Sequence, residues 1–209
     1  MILCVGRPEH FPAGSYTSAE FEEVIDLISN SQSVSPVLHR IDPADRTVII
    51  GEGRLALSTA EQLLFPVSIQ TDPLLNEIPV RSYIDSEKPL PFDKWMKKAS
   101  RQRKAADPRQ PESRADVIKR ADLLIEKLET SCPNALLITY PMFLTELLDR
   151  FRFHNYVVQR SGLFRAEPLE KIVVSRKDEH CGGCQHNCFL SNPGCGIGRD
   201  KANRQRTRK

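Results

Sequence analysis

Four of the six cysteines in this 209-residue chain crowd into one short stretch, and their spacing suits a metal ion. The stretch reads His180-Cys181-Gly-Gly-Cys184-Gln-His186-Asn-Cys188, with Cys195 following inside Asn-Pro-Gly-Cys-Gly. A Cys-x2-Cys turn rich in glycine lets two thiolates reach one ion, and a second pair completes a tetrahedron. Here that pair is Cys188 and Cys195, with His180 and His186 as alternates for one thiolate. The segment has few bulky apolar residues, chiefly Phe189, Leu190 and Ile197, so metal binding would have to supply its folding energy. Zinc is the expected ion. The spacing departs from the two-knuckle zinc pattern, whose pairs are separated by a longer loop. An iron–sulfur cluster is the alternative, because four thiolates also suit one. Free or disulfide-forming cysteines on a tail are the reading without metal. Cys4 and Cys132 lie outside the cluster and read as core or helix-end residues.

Charge is spread unevenly. The formal net charge is +3, yet Arg199, Lys201, Arg204, Arg206, Arg208 and Lys209 stand against Asp200 alone, so the rest of the chain is slightly acidic. A basic run beside a metal knuckle suits phosphate backbones, and residues 199–209 are therefore a candidate nucleic-acid contact. They lack the interleaved aromatics that stack bases. A hydrophobic fraction of 40% argues against wholesale disorder. No run approaches the roughly 20 apolar residues that span a bilayer, so no membrane association is expected. Met1 to Val5 is too short for a signal peptide, and clustered cysteines in such a chain point to the cytoplasm.

The elements that would carry these groups alternate in type. Ile2 to Val5, Thr47 to Ile50, Ala135 to Thr139 and Ile172 to Val174 are short apolar runs, read as buried strands. Thr17-Ser-Ala-Glu20 has capping-box spacing ahead of Phe21, Val24, Ile25 and Ile28 at helical intervals. Leu57, Ala60, Leu63 and Leu64 mark a second helix, and Ser113 opens a long one carrying Val117, Ala121, Leu124, Ile125 and Leu128. Phe143, Leu144, Leu147 and Leu148 mark another. Prolines at 66, 73, 79, 89 and 91 break up the middle of the chain into strand fragments and surface loops. A basic amphipathic helix follows from Phe92 to Lys104 around Trp95, with a charged face that could meet an acidic partner. Strands alternating with helices predict a three-layer α/β/α sandwich with a mostly parallel sheet. The expected division is an α/β domain over 1–175, a cysteine-rich metal segment over 176–198 and a basic tail over 199–209.

Three segments of this frame resemble the histidine phosphatase family, in its phosphoglycerate mutase-like branch. Gly51-Glu-Gly-Arg54 running into Thr59-Ala60-Glu61 resembles the motif in which an arginine opens a helix and binds phosphate. Leu75-Asn76-Glu77 resembles the segment that supplies the acidic proton donor. Glu112-Ser113, Arg120 and the strand 135–139 running into Tyr140-Pro141 resemble the approach to the second catalytic histidine. The resemblance implies chemistry in which one histidine takes the phosphoryl group, arginines and a second histidine hold its oxygens, and a carboxylic acid protonates the leaving oxygen.

Both histidine positions are changed. Where the family has Arg-His-Gly after its first strand, this chain has Gly6-Arg7-Pro8, which puts Arg7 or Pro8 at the nucleophile position. Where the family has His-Gly, this chain has Tyr140-Pro141. Arg54, Glu77 and Arg7 survive, and Arg54 with Arg7 is the candidate anion site because a guanidinium offers a planar fork to phosphate. Three functions follow. The first is a non-catalytic, pseudophosphatase-like binding or regulatory component for a protein partner or a phosphorylated small molecule. The second is an active phosphatase that uses His10 as a substitute nucleophile. The third is a nucleic-acid-associated protein working through its metal knuckle and tail.

Overall fold

The structure, a computed structural model, describes residues 1–10, 12–36, 40–160 and 167–177. The predicted zinc ligands Cys181, Cys184, Cys188 and Cys195, the alternates His180 and His186, and the basic tail 199–209 lie outside the described residues.

Strand β1 (Ile2–Cys4) is fully buried and starts the sheet. A short strand β2 (Ser15–Tyr16) precedes helix α1 (Ser18–Ser29), which opens on the expected capping box between Thr17 and Glu20. Strand β3 (Val48–Ile50) leads into helix α2 (Arg54–Leu63), and strand β4 (Ile69–Thr71) runs into a single 3-10 turn over Pro73–Leu75. Strand β5 (Leu90–Pro91) precedes helix α3 (Phe92–Lys104), and helix α4 (Arg114–Ser131) is capped by Ser113. Strand β6 (Leu136–Thr139), helix α5 (Pro141–Phe153), strand β7 (Tyr156–Gln159) and strand β8 (Lys171–Arg176) follow.

The main sheet has the order β4-β3-β6-β1-β8-β7. Its first four strands are parallel, and β8 then pairs antiparallel with both β1 and β7. The molecule is thus α/β with a mixed, mostly parallel sheet. Alternation along the central strands divides their side chains between two apolar layers. Ile2, Cys4, Ile49 and Leu137 face the layer filled from α4 and α5 by Val117, Leu124, Phe143 and Leu147. Leu3, Val48, Ile50, Leu136 and Ile138 face the other layer, filled from α2 by Leu55, Ala56, Ala60 and Leu63. Strands buried on both faces explain why these runs read as continuous apolar stretches.

Two sequence expectations need adjusting. Strand β8 is the last described strand, as Ile172-Val173-Val174 suggested, but it is inserted antiparallel, and β7 was not foreseen at all. Every residue of β7 is partly exposed or exposed, so it lacks the solid apolar run that marks a central strand. Strand β8 extends to Arg176, which pairs with Tyr156 of β7. The proline-broken middle segment is not merely surface loop: Asp72, Leu75, Ile78 and Ser82 are all buried. Asp72 accepts from the Leu74 N–H at 2.9 Å and from Lys127 Nζ at 2.6 Å, which ties this segment to α4.

Helices α1 and α3 form a wall beside the ends of the parallel strands. Trp95 is completely buried there, stacked on Phe21 at 5.5 Å, with its indole N–H donating to the Tyr16 carbonyl at 2.8 Å. The tryptophan thus anchors α3, leaving Lys94, Lys97, Lys98, Arg101 and Lys104 exposed, while Arg103 turns inward to Glu146 of α5 at 4.0 Å. No helix among the described residues is long and apolar enough to cross a membrane.

Candidate functional site

In an open sheet, ligand sites lie beyond the carboxyl ends of the parallel strands, because loops diverge there and helix N-termini point inward. This fold places a cleft of about 1300 Å³ at that end. Its base is formed by the turn after β1 (Gly6, Arg7, Pro8), Gly53 after β3 and Tyr140 after β6. One wall comes from α1 and α3, and the other from residues 76–81. Among the described residues, the cleft lining contains no histidine.

Local contacts set the geometry of the base. The Gly6 N–H donates to Thr59 Oγ1 at 3.0 Å, and that hydroxyl donates to the Leu55 carbonyl at 2.7 Å, which fixes the turn after β1 against α2. Thr139 Oγ1 donates to the Leu75 carbonyl at 2.8 Å, and Asn76 Oδ1 accepts from the Glu52 N–H at 2.7 Å. The three loops over the strand ends are thereby joined to one another.

Two helix N-termini open onto this cleft. Such an end concentrates unpaired N–H groups and partial positive charge, which makes it a ready anion site. In this molecule both are occupied by the chain's own oxygens. Helix α5 starts with Pro141, which has no N–H to offer, so its first free donors are Met142 and Phe143. The Glu77 carboxylate accepts from both, at 3.2 and 3.0 Å, and from the N–H of Ile78 at 2.9 Å. Helix α2 has Gly53 at its N-cap and no side-chain cap of its own. There the Tyr140 hydroxyl lies so close that a Cβ on Gly53 would fall 1.9 Å from it. The Tyr140 hydroxyl covers this helix end, while the Ala56 N–H donates to the Gly53 carbonyl at 3.1 Å. Gly51 is needed for the same reason, since a Cβ there would meet the tyrosine ring at 2.9 Å.

Burial dominates the electrostatics. Loss of water pushes the Tyr140 phenol up to about 12, more than the Ala56 and Gly53 N–H groups pull it down, and the charge of Glu77 adds to the rise. Glu77 keeps some exposed area as a residue, yet protein surrounds its carboxylate. Desolvation raises its pKa above the ordinary carboxylate range, against three N–H donors and the Arg120 guanidinium. Cys4, at the end of β1, is likewise pushed up to about 12, mainly by burial, so its thiol is no nucleophile at neutral pH.

Arg120 is the residue whose part the sequence showed least clearly. It forms a two-point pair with Glu112 at 2.8 Å for each contact, and donates to the carbonyls of Leu74 and Asn76 at 3.1 and 2.8 Å. Its guanidinium also stacks over Phe143 at 4.1 Å. Arg120 thus holds the backbone immediately before Glu77 against α5. The Glu112 and Arg120 spacing was visible, but their shared task depends on a loop 44 residues earlier in the chain.

The predicted site residues do not all meet. Arg7, Pro8, Glu77 and Tyr140 line the cleft. Arg54 does not, and so does not share a pocket with Arg7. It lines a separate hollow of about 250 Å³ with Glu9, His10 and Gln32. Arg54 is the first residue of α2, and Tyr140 already takes the space on the cleft side of that helix end. His10, the suggested substitute nucleophile, sits in the same outer hollow and not among the cleft residues.

No family model matches the chain, and no curated protein matches it in sequence. Among solved structures, the product of the open reading frame Rv3214 from Mycobacterium tuberculosis aligns at 16% identity over 83% of this chain and 88% of that one, with a TM-score of 0.46. Mycobacterial hydrolase 2 aligns at 16% identity over 72% and 70% of the two chains, with a TM-score of 0.40. Mycobacterial hydrolase 1 aligns at 14% identity over 72% and 76%, with a TM-score of 0.36. These are distant likenesses of overall arrangement.

Proposed function

We propose that this protein is a non-catalytic binding or regulatory component, built on a histidine phosphatase-like frame, that uses the strand-end cleft to hold a ligand. The observation that carries this reading is the Tyr140 hydroxyl seated at the N-terminus of α2. A transferring phosphoryl group needs preorganised donors around its oxygens and a nucleophile in line with its phosphorus. Here a phenol covers the α2 N-terminus, the α5 donors hold Glu77, and Arg7 or Pro8 stands where an imidazole would attack. Glu77 is committed to three backbone donors and is poorly placed to give a proton to a leaving group.

The test is hydrolysis of p-nitrophenyl phosphate by the purified full chain. No release above the buffer rate is expected, and Arg54→Ala and His10→Ala should leave that result unchanged. Steady turnover abolished by those two substitutions would instead establish an active phosphatase.

The cysteine segment belongs to the same proposal. Cys181, Cys184, Cys188 and Cys195 hold zinc and give the C-terminal segment its fold. Elemental analysis of freshly purified protein should find zinc in equimolar amount, and replacing the four cysteines with serine should remove it. Iron with acid-labile sulfide in place of zinc would assign an iron–sulfur cluster instead.

A further inference from the structure

We propose that the strand-end cleft takes a largely apolar organic cation, not an anion. The inference rests on the binding role given above and adds the chemical class of the ligand. Three independent features of the cleft lead to it.

The first is the state of the two helix ends. A cleft facing free N-termini would draw anions, but both ends here are closed by Tyr140 and Glu77. The second is the balance of side-chain charge. Glu22, Asp26, Glu77 and Asp93 line the cleft against Arg7 and Arg81. Glu22 is committed to the Ser82 N–H and hydroxyl at 3.0 and 2.7 Å, and Glu77 to α5. Asp26 on α1 and Asp93 at the start of α3 are exposed, and no side chain among the described residues pairs with either carboxylate; Asn30 Nδ2 donates only to the Asp26 backbone carbonyl at 2.9 Å. Both belong to the same wall, so their fields add on that side.

The third feature is what lies between the charges. Ile25, Ile28, Phe92 and Met96 line the α1 and α3 wall, with Ile78 and Met142 opposite. The volume of about 1300 Å³ far exceeds a compact oxyanion and suits a ligand with a substantial apolar body. Phe92 is half-buried beside Asp93, and an aromatic face next to a carboxylate favours a cation over any other charge state.

The experiment is a fluorescence titration of the full chain with berberine, an apolar aromatic cation, and with anilinonaphthalene sulfonate, an apolar anion. Berberine should bind saturably and more tightly than the sulfonate. Replacing both exposed aspartates (Asp26→Asn with Asp93→Asn) should weaken berberine roughly three- to tenfold, as expected for two solvent-exposed charge contacts. Asp26→Lys with Asp93→Lys should invert the preference between the two dyes. All four substitutions are at exposed positions, and circular dichroism of each variant checks the fold. Equal or tighter binding of the sulfonate, no berberine binding, or berberine binding unaffected by the asparagine pair would each overturn the proposal. Aryl phosphate hydrolysis, measured on the same preparations, reports separately on the non-catalytic reading, since turnover would remove that reading while the dye pair still fixed the sign of the ligand.

Discussion

Glu77→Ala is expected to lower the melting temperature by roughly 6–12 °C, the shift that about 3 kcal/mol produces in a domain of this size. Three backbone N–H groups lose their acceptor together, two of them at the α5 N-terminus, where Glu77 is the only acceptor either has among the described residues. Each buried donor left unpaired costs about 1–3 kcal/mol, and the net figure allows for partial entry of water into the cleft. Glu77→Gln should cost less, because its amide oxygen still accepts.

The two variants also separate on pH. Glu77 has its pKa raised by burial above the ordinary value of 4.5, so between that value and the folded one the native state holds more protons than the unfolded chain. This group's contribution therefore falls as pH rises through that window, and Glu77→Gln should flatten the slope there. Tyr140 and Cys4 beside it, both near 12, do not titrate in the range. Asp85, Asp116 and Asp122 have lowered pKa values, so their stabilising contributions are lost only at more acidic pH. Urea unfolding between about pH 4.5 and 7 checks both statements. A Glu77→Ala midpoint equal to wild type would remove Glu77 from the role of α5 cap.

Gly53→Ala should destabilise the protein by about 1–3 kcal/mol, the usual cost of forcing one extra methyl into a packed site. The backbone is not the cause. Gly53 has φ −72° and ψ 151°, which alanine adopts freely, and at such a site the substitution ordinarily stabilises by about 0.4–1 kcal/mol. The penalty arises because the new methyl would fall 1.9 Å from the Tyr140 oxygen, whereas the next ring atom, Cζ, is 3.1 Å away. Tyr140→Phe removes the offending oxygen and leaves the ring in place. In that background Gly53→Ala should become nearly neutral, a coupling of about 1 kcal/mol or more in a double-mutant cycle. Additive effects would mean that the phenol is not held at the helix end.

Both results bear on function through one structural idea. At the base of the cleft the two helix N-termini are covered by the chain itself, one by the Tyr140 hydroxyl and the other by the Glu77 carboxylate. A protein arranged in this way gains stability from contacts that an enzyme would reserve for its transition state. The two stability experiments measure how much of the fold depends on those contacts, and the dye experiment asks what the remaining cleft accepts.

Much of the framework can be read from local sequence. Helix α4 announces itself by Ser113, Asp116 and a regular apolar stripe, and β6 by an unbroken apolar run, because these signals depend only on neighbours along the chain. That Arg7, Pro8 and Tyr140 carry no imidazole is equally plain, since residue type is read directly. The direction of β8 and the existence of β7 are not legible in that way. A half-exposed edge strand carries little pattern, and strand orientation is set by which neighbour it meets in the sheet. Nor could sequence show that Arg54 would face an outer hollow while Tyr140 covered the end of its helix, or that Glu77 would cap a helix beginning at residue 141. Those outcomes depend on groups distant in the chain competing for the same few cubic ångströms, and only the packed tertiary structure decides which of them fits.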